Sequence, residues 1–222
     1  MTKQERDQMR QAAEEIREVN RVLAKSGLNL VGEVLRGFGD FTEFEHYPPD
    51  DAYDPDSHAQ YYFHAHSPGE REWSDYGHFH IFLRPPGMPA DIRPAPLPDA
   101  QGGEAALCHL VAISMTREGQ PERLFTTNRW VTAETWYKGA DVKRMLTGCT
   151  FDIAWPSWPL NRWLGAMLVL YRAEIEALID ARDQAVAQWR AAHPGTNAFE
   201  DRGLEITSAR LISLEEKLKS LP

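Results

Sequence analysis

Two His-x-His pairs, His64/His66 and His78/His80, lie within the stretch QYYFHAHSPGEREWSDYGHFHIFLR that runs from Gln60 to Arg84. Successive side chains of a β-strand point to opposite faces, so each pair sets both imidazoles on one face. The interleaved residues are Tyr61, Phe63 and Ala65 in the first segment, and Phe79, Ile81 and Leu83 in the second. Each segment therefore reads as a half-buried strand, apolar on one side and imidazole on the other. Pro68-Gly69 is a turn signal, which makes an antiparallel hairpin the natural connection. A one-residue slip would send one set of side chains to the wrong face, so matching the apolar stripes brings all four histidines onto one surface. Symmetrical pairing sets His66 opposite His78 and His64 opposite His80. Cβ atoms would then lie about 5 Å apart across the strands and roughly 7 Å apart along them. Several imidazoles at that spacing suit one metal ion, bound at about 2.0–2.1 Å by each. The plainer reading is a structural cluster. A lone histidine on a sheet is ordinarily just a hydrogen-bonded polar residue, but four on one face repel when protonated and need partners when desolvated.

A carboxylate would complete such a site. Glu70 follows His66 by four residues at the hairpin turn and needs no loop closure to fold back over the imidazoles, whereas Glu72 reads as solvated. Asp51 and Asp54 approach from the acidic loop DDAYDPDSHA, either as ligands or as acceptors for an imidazole N–H. Asp56, before Ser57, reads as an ordinary turn residue. The metal candidates are thus His64, His66, His78, His80 and Glu70, and the candidate catalytic groups are Glu70, Tyr62 and Arg84.

Three resemblances attach to these residues. His64-x-His66-x-x-x-Glu70 with Gly77 beyond it resembles the first metal motif of the cupins, in which two His and a Glu bind a divalent metal. His58 stands where that motif begins with Gly, and GQPERLFTTNRW lacks the histidine of the second cupin motif. The alternation in GHFHIFLR is similar to the nucleotide-binding HIT proteins, except that Phe82 replaces their third histidine and no phosphate-cradling Gly loop follows. More broadly, HYPPDDAYD, SHAQYYFHAH, GHFHIFLR, LFTTNRWVTAETW and WPLNRWL resemble a bacterial protein family whose function is uncharacterised. That likeness spans most of the chain and implies a shared single domain without implying an activity.

The remaining chain fills in a fold. Its 222 residues suit one domain, 1–222, with a substantial core. A formal charge of −9 argues against nucleic acid or an anionic membrane as partner and leaves a small molecule. Cys108 and Cys149 have no CxxC spacing, which fits a reducing cytoplasm, and no secretory signal is read in the charged N-terminal residues. The longest apolar run, residues 164–171, is too short to span a bilayer.

Residues 2–25 read as an amphipathic helix with Thr2 and Glu5 at capping-box spacing and a stripe of Met9, Ala12, Ile16, Val19 and Leu23. Residues 28–39 fit either a helix or a strand. FTEFEHYP alternates as a strand that ends at Pro48-Pro49. Residues 85–103 form a Pro/Gly-rich loop that either lids the histidine face or merely crosses between strands. Residues 105–116 and 123–130 read as a second hairpin, with His109 on the aliphatic face of Leu107, Val111, Ile113 and Met115. Thr132 is a candidate cap, and Arg129 and Glu134 either pair or hold a substrate carboxylate. Residues 159–190 read as the longest helix, and residues 204–212 as an edge strand.

The expected fold is α+β: an antiparallel sheet of about five strands with long N- and C-terminal helices on its apolar face, a cupin-like sandwich or barrel being the alternative. The expected function is a metal-dependent enzyme of non-haem oxygenase type, using Fe, Mn or Zn, because aromatic residues ring the site and no hydrolase motif is present. The alternatives are a metal-dependent hydrolase and a non-enzymatic protein with a structural metal or a hydrogen-bonded histidine cluster.

Overall fold

The computed structural model of the chain describes residues 2–67, 73, 75–97 and 102–221. Its strands form one open antiparallel sheet whose spatial order follows the chain: β1 (Tyr47–Tyr53), β2 (Ala59–His64), β3 (Gly77–Leu83), β4 (Cys108–Met115), β5 (Pro121–Thr127) and β6 (Ile206–Leu211). The expected α+β architecture is present, with six strands among the described residues where about five were expected, in an open sheet and not a cupin-like barrel. The helices among the described residues are α1 (Lys3–Lys25), α2 (Leu30–Leu35), α3 (Arg129–Thr132), α4 (Gly139–Met145), α5 (Trp158–Leu170), α6 (Arg172–Ala192) and α7 (Leu214–Lys219). None is long and apolar enough to cross a membrane.

One face of the sheet makes the main core. Tyr61, Phe63, Phe79, Ile81, Leu83, Val111, Ile113 and Leu124 are all buried there with side chains of α1, α2, α5 and α6. The capping box of α1 is formed, the Thr2 hydroxyl accepting from the Glu5 amide at 3.2 Å while the Glu5 carboxylate accepts from the Thr2 amide at 2.6 Å. Ala12, Ile16, Val19 and Leu23 make its buried stripe. Tyr61 Oη donates to Asn161 Oδ1 at 2.5 Å, and the Asn161 amide donates onward to the carbonyls of Ile153 and Trp155. This ties the middle of β2 to the first turn of α5.

Three local expectations need correction, and one left open is settled. The strand before the prolines is absent; β1 begins at Tyr47 and contains Pro48 and Pro49. An edge strand tolerates proline because one side of its ladder has no partner, and the pairing jumps between Tyr47 and Ala52, leaving the intervening residues bulged. Residues 28–39 resolve to the short helix α2, capped by Asn29. The expected 159–190 helix is broken at Tyr171 into α5, which packs on α1, and α6, which packs on β5 and β6. Asn128, rather than Thr132, caps α3 through its side-chain oxygen and the Arg129 amide.

Candidate functional site

The other face of the sheet carries the histidines, and β3 and β4 are buried along their whole length. His64 lies directly opposite His78, and Tyr62 lies opposite His80. The symmetrical pairing of His66 with His78 and of His64 with His80 is therefore corrected by two residues. An even shift leaves every side chain on its expected face, so the imidazoles still converge. Ring centroids are 4.5 Å apart for His64 and His78, 5.0 Å for His78 and His80, and 5.2 Å for His64 and His80. His66, just past the end of β2, has its ring 4.8 Å from His64 and 5.4 Å from His78. Gly77 permits this register. A Cβ there would lie 2.3 Å from Cζ of Phe63 and 2.8 Å from the His64 carbonyl oxygen.

One ring nitrogen from each of His64, His78 and His80 falls within 4.8 Å of the other two. His78 and His80 are fully buried, whereas His64 and His66 are half-buried, so the cluster meets solvent on the β2 side.

Two of the rings are held from behind. Asp75 Oδ2 accepts from His78 Nδ1 at 3.2 Å and from the Ser114 hydroxyl at 2.8 Å, and Ser114 in turn accepts from the Trp73 indole N–H at 3.3 Å. Nδ1 of His80 lies 3.0 Å from Nε2 of His109. Burial, reinforced by the charge of Arg182 and by His78, pushes His109 down to about 3, so its imidazole is neutral. Its Nδ1 faces the Thr127 hydroxyl at 3.5 Å. The His109 tautomer that donates to Thr127 accepts at Nε2 from His80 Nδ1–H and leaves His80 Nε2 with the lone pair a metal needs, whereas the other tautomer reverses that bond. Carboxylate or imidazole partners behind a ligating histidine fix its tautomer in this way.

His109 corrects an expectation: it does not share the face of Val111 and Ile113. The pairing of β3 with β4 jumps between Ile81–Val111 and Phe82–His109, so Leu110 is an extra residue and His109 swings onto the histidine side beside Phe82. Its backbone N–H donates to Glu134 Oε2 at 2.7 Å. Burial pushes the Glu134 carboxyl up to about 8, against the lowering effects of Arg182, of that hydrogen bond and of Arg129. Arg129 itself donates to the Glu134 backbone carbonyl and pairs with the Glu200 carboxylate.

The other expected site residues are distributed as follows. Tyr62 is buried among the rings, 5.1 Å from His80, 5.3 Å from His64 and 5.6 Å from Phe82. Arg84 Nε donates to Gln60 Oε1, Gln60 donates to Asp51 Oδ2, and Asp51 Oδ1 lies 2.9 Å from His46 Nδ1. The His46 ring stacks on Tyr62 at 3.6 Å and stands 5.7 Å from His64. Asp51 thus partners His46, a histidine outside the candidate ligand set. Asp54 is used up in structure: burial raises its carboxyl, but the amides of Asp152, Ser57 and Asp56 outweigh this and hold it below the ordinary carboxylate range. Glu70 and Glu72 lie outside the described residues. Sequence reasoning missed Asp75, Ser114, His46 and His109 as neighbours of the cluster; for Asp75 the available signal was its place three residues before His78.

No curated protein and no solved structure matches the chain. A family model described as a domain of unknown function (DUF6969) matches residues 10–212. The broad likeness read across its length is therefore to an uncharacterised family, and the chain belongs to DUF6969.

Proposed function

We propose that the protein is a metal-dependent enzyme whose ion is held by His64, His78 and His80, with Asp75 and His109 as positioning residues. The observation that carries this reading is the convergence of one ring nitrogen from each of the three histidines to within 4.8 Å. Three neutral imidazoles suit Fe(II), Mn(II) or Zn(II). Such an ion would supply either activation of dioxygen or acidification of water. Oxygenase-type chemistry on a small molecule is favoured, because aromatic residues ring the site, with Tyr62, Phe82 and Phe125 all packed beside His80. His66, its ring 4.8 Å from that of His64, would supply a further ligand. The two free, buried cysteines suit a reducing cytoplasm.

Elemental analysis of the purified protein, repeated for His64→Ala and His78→Ala, tests the metal. Stoichiometric iron, manganese or zinc that both variants lose is the expected result. Dioxygen uptake by the Fe(II)-loaded protein then separates an oxygenase from a hydrolase. One observation favours a second reading: Asp75 and His109 hydrogen-bond the rings of His78 and His80, and Ser114 braces Asp75. A metal-free protein whose melting is unchanged by chelator would establish that non-enzymatic cluster.

A further inference from the structure

The histidine cluster is half-open on the β2 side, and what stands there is unusual. Phe44 has φ +67°, a left-handed conformation that bulky L-residues rarely adopt, and the residue is 53% exposed. Its backbone N–H donates to the Ala65 carbonyl at 2.9 Å, which holds this strained residue against the end of β2. The ring meets His66 edge-on at 5.2 Å. Two residues on, His46 is 40% exposed at its side chain, anchored by Asp51 and laid flat on Tyr62. Asp51 too has a positive φ, +54°.

Strain that packing does not require is the kind retained at functional sites. A residue more than half exposed gains little from burial, so the Ala65 bond accounts for the backbone turn but the fold has no evident need for an aromatic ring there. A ligand that covers the ring would give it one. We propose that Phe44 and His46 form the rim of a binding slot for a planar aromatic small molecule, which stacks at the rim and turns its polar substituent toward the open side of the metal site, where His64 and His66 are half-buried. The inference rests on the metal reading above and names the substrate class of that same site. A flat ring suits the place because both rim groups are themselves rings, and aromatic pairs gain from offset-stacked and edge-to-face contacts beyond area alone.

The test uses 4-nitrocatechol as probe, whose absorption changes when it ligates a metal, with wild type, Phe44→Gly and Phe44→Leu. Metal content and melting temperature are measured on the same samples. Glycine relieves the left-handed strain, so Phe44→Gly should melt no lower than wild type while binding the probe about tenfold more weakly. Phe44→Leu, which keeps apolar bulk without an aromatic face, should also lose about tenfold, and metal content should be equal in all three. Equal probe affinity in either variant, no binding to the metal-loaded wild type, or a melting temperature lowered by several degrees in Phe44→Gly would each overturn the slot while leaving the metal site standing. Wild-type protein that takes up no metal would instead overturn the metal reading, and the slot with it.

Discussion

Nδ1 of His80 and Nε2 of His109 lie 3.0 Å apart, a contact that exists only because β4 carries one residue more than β3 between two of their paired positions. The bulge converts a core position into the support of a candidate ligand. Replacing His109 by Leu keeps apolar volume but removes the ring nitrogen that hydrogen-bonds the buried His80 Nδ1. Such a loss costs about 1–3 kcal/mol of stability. Metal affinity should fall by roughly 10–100-fold, the range for groups that orient a ligand. Chelator competition checks the affinity and urea melts the stability; undiminished affinity would remove His109 from the site.

Asp75 does the same service for His78, and its effect separates from that of its neighbour. Asp75→Asn retains an acceptor for the His78 N–H but deletes the charge, whereas Ser114→Ala leaves the Asp75–His78 contact in place and removes one bond to the carboxylate. Affinity should fall by about tenfold or more in Asp75→Asn and by clearly less in Ser114→Ala. Equal losses in the two variants would argue that the Trp73–Ser114–Asp75 chain acts only on the fold.

The faces of the hairpin were legible in the sequence because a period of two leaves no other home for Phe79, Ile81 and Leu83. The register was not. A shift of two residues keeps every face, so no alternation pattern distinguishes His64 opposite His78 from His64 opposite His80; the observed register sets Gly77 against Phe63, where a Cβ would not fit. His109 was hidden for a related reason. A bulge adds a residue without any mark in the hydropathy pattern, and Leu110 is as apolar as its neighbours. The prolines misplaced β1 because they end a central strand but not an edge one.

Gly77 supplies a sharp test of that register. Its φ of +157° is tolerable for few side chains, and a methyl group there would run into both the Phe63 ring and the His64 carbonyl oxygen. Phe63 is fully buried and has little room to yield. Overpacking of this kind costs about 1–3 kcal/mol. Gly77→Ala should therefore lower the denaturation midpoint and, by pushing His64 away from His78, weaken metal binding as well. A variant as stable as wild type with full affinity would show that β2 and β3 do not meet as closely as described.

Glu134 sets an unusual dependence of stability on pH. Burial holds its carboxyl near 8 in the folded protein, against an ordinary value of 4.5. Between those values the folded state keeps a proton that the unfolded chain has released, so the stabilisation is complete below about 4.5 and is lost as pH rises through about 8. For a shift of this size the loss amounts to a few kcal/mol. Glu134→Gln reproduces the protonated carboxyl: one oxygen remains to accept from the His109 backbone N–H, and nothing is left to ionise. The variant should match wild type at pH 5 and exceed it at pH 9, with a flatter profile between. Denaturant midpoints across that range decide the matter. Parallel profiles for the two proteins would mean that Glu134 is ionised in the folded state, with Arg182 rather than a proton balancing its charge.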